Sequence, residues 1–422
     1  MQIASTDWYS SPPSNLPVPS RPPPPWWHST PGQMALTAGA FLLVLFARRP
    51  ETFLNPQLWA EDGPIFFVQA DEFGAHALTF PWAGYHNFLL RLIAAVSSPL
   101  NARLVPAAYV GMSLLVLLAI VLALFSPRLD LPARPACALA IALIPHTGEA
   151  IGNLTNLQWV CGLGFVWLLL ARDASTMRQH VTDGVIAFVF GLTGTFSILF
   201  APLFAWRAWR RRTAASIVLA VLVAITAGVQ VWAIAHSPPH PAGQENLTVE
   251  TAALWLGFRL PAALFLPGDW AMRMPRGVLD VLGVLTVATL LVTAFLPGRH
   301  RERRLLLVAA LVAVIVATIF RARHHLTAFA GLNNGDRYLF VPKVLVAWLL
   351  ISGWSQAGWI RWSTLTACGL LLLTTATHWR YQRLPDRHWQ DYARRIEAGE
   401  RVEGITVNPG VIFGHPGRHR KK

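Results

Sequence analysis

Apolar runs of about 17–25 residues, long enough to cross a bilayer as helices, recur along the chain between short polar turns. The first predicted span runs from about Gln33 to Phe46, and a long loop follows over roughly residues 47–102. Two stretches of that loop have helical periodicity. Phe66, Ala70, Phe73 and Ala77 fall on one face, starting after Gly63 and Pro64, where a proline costs nothing in the first turn. Phe88, Leu89, Leu92, Ile93 and Val96 share a second face, with Arg91 off it. Both suit helices lying in the membrane interface.

Further spans are predicted over about Leu104–Phe125, up to Ile144, and over Leu157–Leu170, Ile217–Ile234, Val278–Leu296, Leu305–Phe320, Tyr338–Trp354 and Ser363–Thr377. Leu254–Leu266 is apolar but too short to cross. Gly184–Trp206 reads as one span or as a hairpin turning at Gly191-Leu192-Thr193-Gly194. One span would carry Arg207, Arg210, Arg211 and Arg212 to the far side, against the bias of basic loops toward the cytoplasm. The hairpin keeps them inside and is preferred, since irregular backbone at membrane depth is tolerated where protein buries it. The expected fold is all-α: a polytopic transmembrane bundle of about eleven membrane helices, counting the hairpin as two, with interfacial helices in the first extracytoplasmic loop. Residues 1–32 read as a disordered, Pro-rich cytoplasmic tail, 33–378 as the membrane domain, and 379–422 as a short extracytoplasmic tail.

Composition agrees with this pattern. Of 422 residues, 54% are hydrophobic and 13% charged, against about 25% charged in soluble domains. The eighteen Trp suit the two bilayer interfaces. The net charge of +14 is nearly all Arg, placed in short loops between spans. That is orientation charge and a means of gripping lipid phosphate, not the soluble basic face that a nucleic-acid partner needs. Cys137, Cys161 and Cys368 sit in apolar segments without metal or disulfide spacing and read as packing residues.

Chemistry concentrates on one side of the predicted membrane. Glu61 and Asp62 are adjacent carboxylates at the start of the long loop, and Tyr85, His86 and Arg91 follow within it. A second group is His146 and Glu149. A third is Arg321, Arg323, His324, Asp336, Arg337 and Tyr338. A carboxylate can take a proton from a hydroxyl or help hold a hard divalent cation, and arginine neutralises a phosphate with fork geometry. Blander roles stand beside these. The acidic pair could cap a helix, His146 and Glu149 could form a polar turn, Asp336 could pair with Arg337, and Arg321 and Arg323 could be snorkelling anchors. A metal site at His324-His325 is disfavoured, because adjacent side chains diverge on a helix.

The chain resembles the GT-C class of integral membrane glycosyltransferases of bacterial type, whose hallmark is an acidic motif in the first extracytoplasmic loop. The residues that carry the resemblance are Trp59-Ala60-Glu61-Asp62-Gly63, Gly84-Tyr85 with Arg91, Gly148-Glu149 followed by Asn153 to Trp159, Leu192-Thr193-Gly194, and Asp336-Arg337-Tyr338. The resemblance implies inverting transfer of a sugar from a polyprenyl-phosphate donor to an extracytoplasmic acceptor (a cell-envelope glycan, a glycolipid or a protein), at the bacterial cytoplasmic membrane. It makes Asp62 or Glu61 the base, Glu149 a supporting acid, and Arg337 with Arg321 or Arg323 the phosphate ligands. Tyr85, His86, Arg91, His146 and Tyr338 become substrate-binding candidates. A divalent cation, Mg or Mn, on Asp62 and Glu61 stays an open option. A transporter or flippase of lipid-linked glycans would place charges near the bilayer midplane, often with an internal repeat. A lipid-linked-glycan polymerase or ligase would favour Arg and His over an acidic pair.

Overall fold

The structure, a computed structural model, describes residues 30–238, 247–295, 300–323 and 335–418. It is mainly helical. Five helices are long and apolar enough to cross a membrane: Thr30–Arg48, Ala102–Ala123, Ala214–Ala235, Arg276–Phe295 and Arg301–Ala322. Shorter apolar helices, Arg134–Leu143 and Leu157–Leu170, pack among them. Leu157–Leu170 is the innermost, buried on nearly every side, with Phe165 edge-on to Phe200 and Phe204. By contrast Arg276–Phe295 leaves Val281, Val284, Leu291 and Val292 exposed, a lipid-facing pattern. Leu254–Leu266 lies within one bent helical stretch, with a π-turn over Phe258–Ala262 that contains Pro261.

Two helices, Met177–Gly191 and Phe196–Arg211, occupy the segment that reads either as one span or as a hairpin. The chain reverses between them. Gly194 sits at φ +81° and its Cβ position would lie 2.7 Å from Gln158 Oε1, so a side chain there would be strained and would push Gln158 aside. The reversal returns Arg207 to where Leu157–Leu170 ends. There it donates to the free carbonyls of Leu168 and Ala171 and pairs with Asp173 at 2.7 Å, an arginine cap on a helix C-terminus. The Arg128–Asp183 pair at 2.6 Å lies at the same end.

The opposite end carries the long first loop and the C-terminal residues. Arg48 caps the Arg134–Leu143 helix there, donating to Ala142 and Ile144 carbonyls. Within the loop the predicted helical start is a 3₁₀ turn, Ala60–Asp62, then a π-turn, Gly63–Phe67, then Val68–Phe73. Phe66, Ala70 and Ala77 are buried, but Phe73 is exposed. The mixed helical turns shift the periodicity and rotate it off the shared face. Phe88–Ser97 is a helix as expected, yet its orientation corrects the expectation. Leu90, Arg91, Ile93, Ala94 and Ser97 face inward and Val96 outward, so the buried face is a largely apolar one shifted from the predicted stripe and packed on the core, with Arg91 on it.

The segment read as a short C-terminal tail holds regular structure. A helix, Trp389–Glu397, and an antiparallel hairpin, Val402–Val407 with Val411–His415, pack onto the first loop. Phe67 meets Trp389 edge-on and stacks on His415, and the Trp389 indole donates to the Ala102 carbonyl. Residues 1–29 lie outside the described residues, as do His324 and His325.

Candidate functional site

At this end a cavity of about 1080 Å³ opens between the first loop, the 147–159 segment, the end of Arg301–Ala322 and the C-terminal hairpin. That is near the top of the range for small-molecule sites. Glu61, Tyr85, Glu149, Arg321, Arg337 and Tyr338 all line it. Three stretches far apart in sequence therefore meet as expected. Asp62, His86, Arg91, His146 and Arg323 are not on its wall.

Each of those five has another place. Asp62 is turned into the protein and is 1% exposed. Its Oδ1 accepts from the Thr155 amide at 2.7 Å and the Thr155 hydroxyl at 2.6 Å, and its Oδ2 from the Trp59 and Leu154 amides at 3.0 and 3.4 Å. Burial nevertheless raises its pKa to about 7 against those four donors. The Thr155 hydroxyl also lies 3.1 Å from the Trp59 carbonyl. Arg91 donates to Gln69 and lies over the Phe66 and Phe80 rings. The His86 backbone is tied to Gln230. Arg323 folds back on the carbonyl and ring of Phe320.

His146 accepts from the Gly148 amide at Nδ1, which leaves the hydrogen on Nε2, 2.7 Å from the Tyr381 hydroxyl. Burial and the nearby Arg48 push its pKa well down, so the ring is neutral. It buttresses the 146–149 turn from behind.

Asp336 and Arg337 do not pair with each other. Asp336 is buried and accepts from Lys343 at 2.6 Å and from the Thr147 amide at 2.8 Å, with Arg259 at 3.7 Å. Burial pushes its carboxyl up, but the Lys343 and Arg259 charges outweigh that and hold it below the usual range. Arg337 instead pairs with Glu149 on the cavity wall, and its guanidinium lies over the Tyr338 ring. The Glu149 backbone carbonyl accepts from the Asn153 and Asn156 amides.

Of the remaining wall residues, Trp59, Asn156, Gln158 and Trp159 belong to the stretches that carry the resemblance, and the others were not singled out from sequence. Arg49 reaches the cavity from the end of the first span, donating to the Thr147 and Gly148 carbonyls while its Nε has no partner among the described residues. Trp59, Trp82 and Trp159 add aromatic surface, and the buried Trp159 indole N–H has no acceptor among the described residues. Asn87, Asn156 and Gln158 add amides. Ile198, Leu199, Ile234, Val314 and Ala317 form an apolar flank where the cavity meets the helices.

Among the described residues the charged wall groups are thus Arg49, Arg321 and Arg337 against Glu61 and Glu149. The Glu61 carboxylate has no hydrogen-bond or ion-pair partner among them, while Glu149 is neutralised. A metal chelated by Glu61 and Asp62 together does not fit, because all four lone-pair positions of Asp62 are taken by protein donors. The described residues also bring no three His, Cys, Asp or Glu together. The arrangement can hold an anion beside Arg321 and Arg337, and present one free carboxylate to a hydroxyl in the same space. In comparisons with known proteins the chain matches no family model, no curated protein and no solved structure.

Proposed function

We propose that this protein is a membrane glycosyltransferase of GT-C type, moving a sugar from a polyprenyl-phosphate donor to an acceptor hydroxyl with inversion. The observation that carries the reading is the free Glu61 carboxylate in one cavity with Arg321 and Arg337, at the end of an apolar helical bundle. In this mechanism Glu61 takes the proton of the acceptor hydroxyl as its oxygen attacks the anomeric carbon. The bond from that carbon to the phosphate oxygen breaks, and the electron pair leaves on the polyprenyl phosphate. Arg321 and Arg337 stabilise that charge. Glu149 keeps Arg337 in place until the phosphate arrives. The apolar flank by Ile234 and Val314 suits the first isoprene units. No step needs a metal on the acidic pair.

The same reading takes eleven helices as crossing the membrane. They are the five long ones together with Arg134–Leu143, Leu157–Leu170, Met177–Gly191, Phe196–Arg211, Phe340–Gly353 and Gly358–Thr377. With the N-terminus inside, as the arginines at the Arg207 end favour, an odd count puts the C-terminus and the cavity end outside a bacterial cytoplasmic membrane and the Arg207 end inside.

The test is consumption of a panel of polyprenyl-phosphate sugars by the protein in lipid nanodiscs, with acceptor glycans present. One donor is expected to turn over. Glu61→Gln should lower kcat by about 10²–10⁴-fold, the usual worth of a general base, with donor binding retained. Arg337→Ala should weaken donor binding instead. No turnover of any donor, or a Glu61→Gln variant as fast as wild type, would overturn the reading.

A further inference from the structure

Glu61 follows a backbone kink that its neighbour does not take freely. Ala60 sits at φ +44°, in the left-handed region that a residue with a Cβ avoids. Strain of this kind persists only where the surroundings over-determine it. Two sets of contacts do so here. From the C-terminal hairpin, the Asn408 carbonyl accepts from the Ala60 amide at 2.5 Å, and the Asn408 amide donates to the Leu58 carbonyl at 3.2 Å. From the 154–155 turn, Thr155 and Leu154 bind the Asp62 carboxyl, whose Oδ2 also accepts from the Trp59 amide. The Phe413 ring closes over Gly63, where a Cβ would come within 2.5 Å of it. Residues 58–63 are thus gripped on both sides of Glu61, while the Glu61 side chain is left free on the cavity wall.

We propose that Thr155 and Asp62 form a positioning latch for Glu61. Asp62 is the anchor of the kinked turn and not the reacting carboxylate, and the Thr155 hydroxyl holds it. The inference rests on the glycosyl-transfer reading for its consequence, but not for its geometry. Relaxing Ala60 to an ordinary negative φ turns the following peptide by about 100°. That swings the Glu61 Cα–Cβ bond away from the place where the acceptor hydroxyl must sit. Without the Thr155 hydroxyl the carboxyl of Asp62 keeps its amide donors but loses its shortest contact, so the turn loosens without being destroyed.

Two measurements separate the latch from the reaction. In the first, a nitroxide is attached to Glu61→Cys after Cys137, Cys161 and Cys368 are replaced by Ala. Thr155→Val should broaden the label's motion, and Thr155→Ser should restore the wild-type spectrum. This readout needs no substrate, so it stands even if no donor is consumed. In the second, donor turnover is followed with Glu61 intact. Thr155→Val should lower kcat by about 10²-fold, as a misplaced catalytic group does, with donor KM within about twofold, while Thr155→Ser recovers most of the rate. If Thr155→Val does not fold, Thr155→Ala tests the same point, since it removes the same hydroxyl contact to Asp62 without adding bulk, and should mobilise the label likewise. A label spectrum unchanged by Thr155→Val, or by Thr155→Ala in its place, overturns the latch. So does a Thr155→Val variant whose loss appears wholly in KM.

Discussion

At the scale of residues, the adjacent carboxylates are chemically alike and their surroundings separate them. Glu61 faces the cavity; Asp62 is buried with a pKa raised to about 7 from 3.8. For an acid so raised, the folded state keeps its proton to higher pH than the unfolded state. Stability is then greatest below about pH 4 for this group and falls as pH rises toward 7. The interval of about three units is worth about 4 kcal/mol at 1.36 kcal/mol per unit. Thermal unfolding in nanodiscs at pH 5 and pH 8 should therefore show wild type losing stability relative to Asp62→Asn. Equal slopes for the two would mean that the carboxyl is ionised throughout. The sequence marks this pair as unusual but does not distinguish its members, because the distinction comes from Thr155, 93 positions away. Arg48 and Arg49 carry a sequence signal of their own: under the proposed sidedness they stand at the outer end of the first span, where orientation charge does not belong. Lys343 and Arg259 are similar cases, basic residues within apolar stretches, and both serve Asp336.

At the scale of elements, legibility followed the length of the apolar signal. The hairpin was readable because a Gly-containing break and a run of arginines constrained the same segment, and both act locally. The C-terminal module was not. Its helix has nine residues and its strands six and five, and what holds them is contact with the first loop. Arg418 is the main tie. It binds Asp71 through Nε and the guanidinium fork at 2.5 and 2.7 Å, and Glu397 at 2.8 Å, with its side chain 7% exposed. His415 meets the same Asp71 at 3.2 Å. Removing one partner of a buried pair leaves the other charge stranded, at a cost of about 3–5 kcal/mol. Arg418→Met should thus speed amide hydrogen exchange across Val402–Val407 and Val411–His415 by at least 10²-fold, while the helices of the bundle exchange as before. Exchange raised evenly over the whole chain would show that the module is no separate unit.

At the scale of the whole molecule, ionic groups are sorted to two ends with an apolar middle between them. One end holds the structural pairs Arg128–Asp183 and Arg207–Asp173. The other holds the cavity, the Asp336 cluster and the folded C-terminal module. Transporter sites commonly lie near the middle of the bilayer, whereas the Glu61 carboxylate and the cavity arginines lie together at one end of the helices, which suits the proposed transfer at an interface. The proposed eleven crossings turn this sorting into a sidedness that can be measured. Arg383 lies at the cavity end and is 86% exposed on its side chain, and Ser175 is exposed in the turn beside Asp173 at the other end. Single cysteines at these two positions, in the background without Cys137, Cys161 and Cys368, should react differently with a membrane-impermeant maleimide on intact spheroplasts. Arg383→Cys should label at once, and Ser175→Cys only after the membrane is opened. The reverse order would place the cavity on the cytoplasmic face, where a soluble nucleotide sugar could reach Glu61 and a lipid-linked donor would lose its rationale. Labelling of both from outside would mean that an odd number of the seven proposed crossings between them does not cross; loss of the hairpin helices as a pair would leave the parity unchanged, so a single helix of the set would be the one to re-examine.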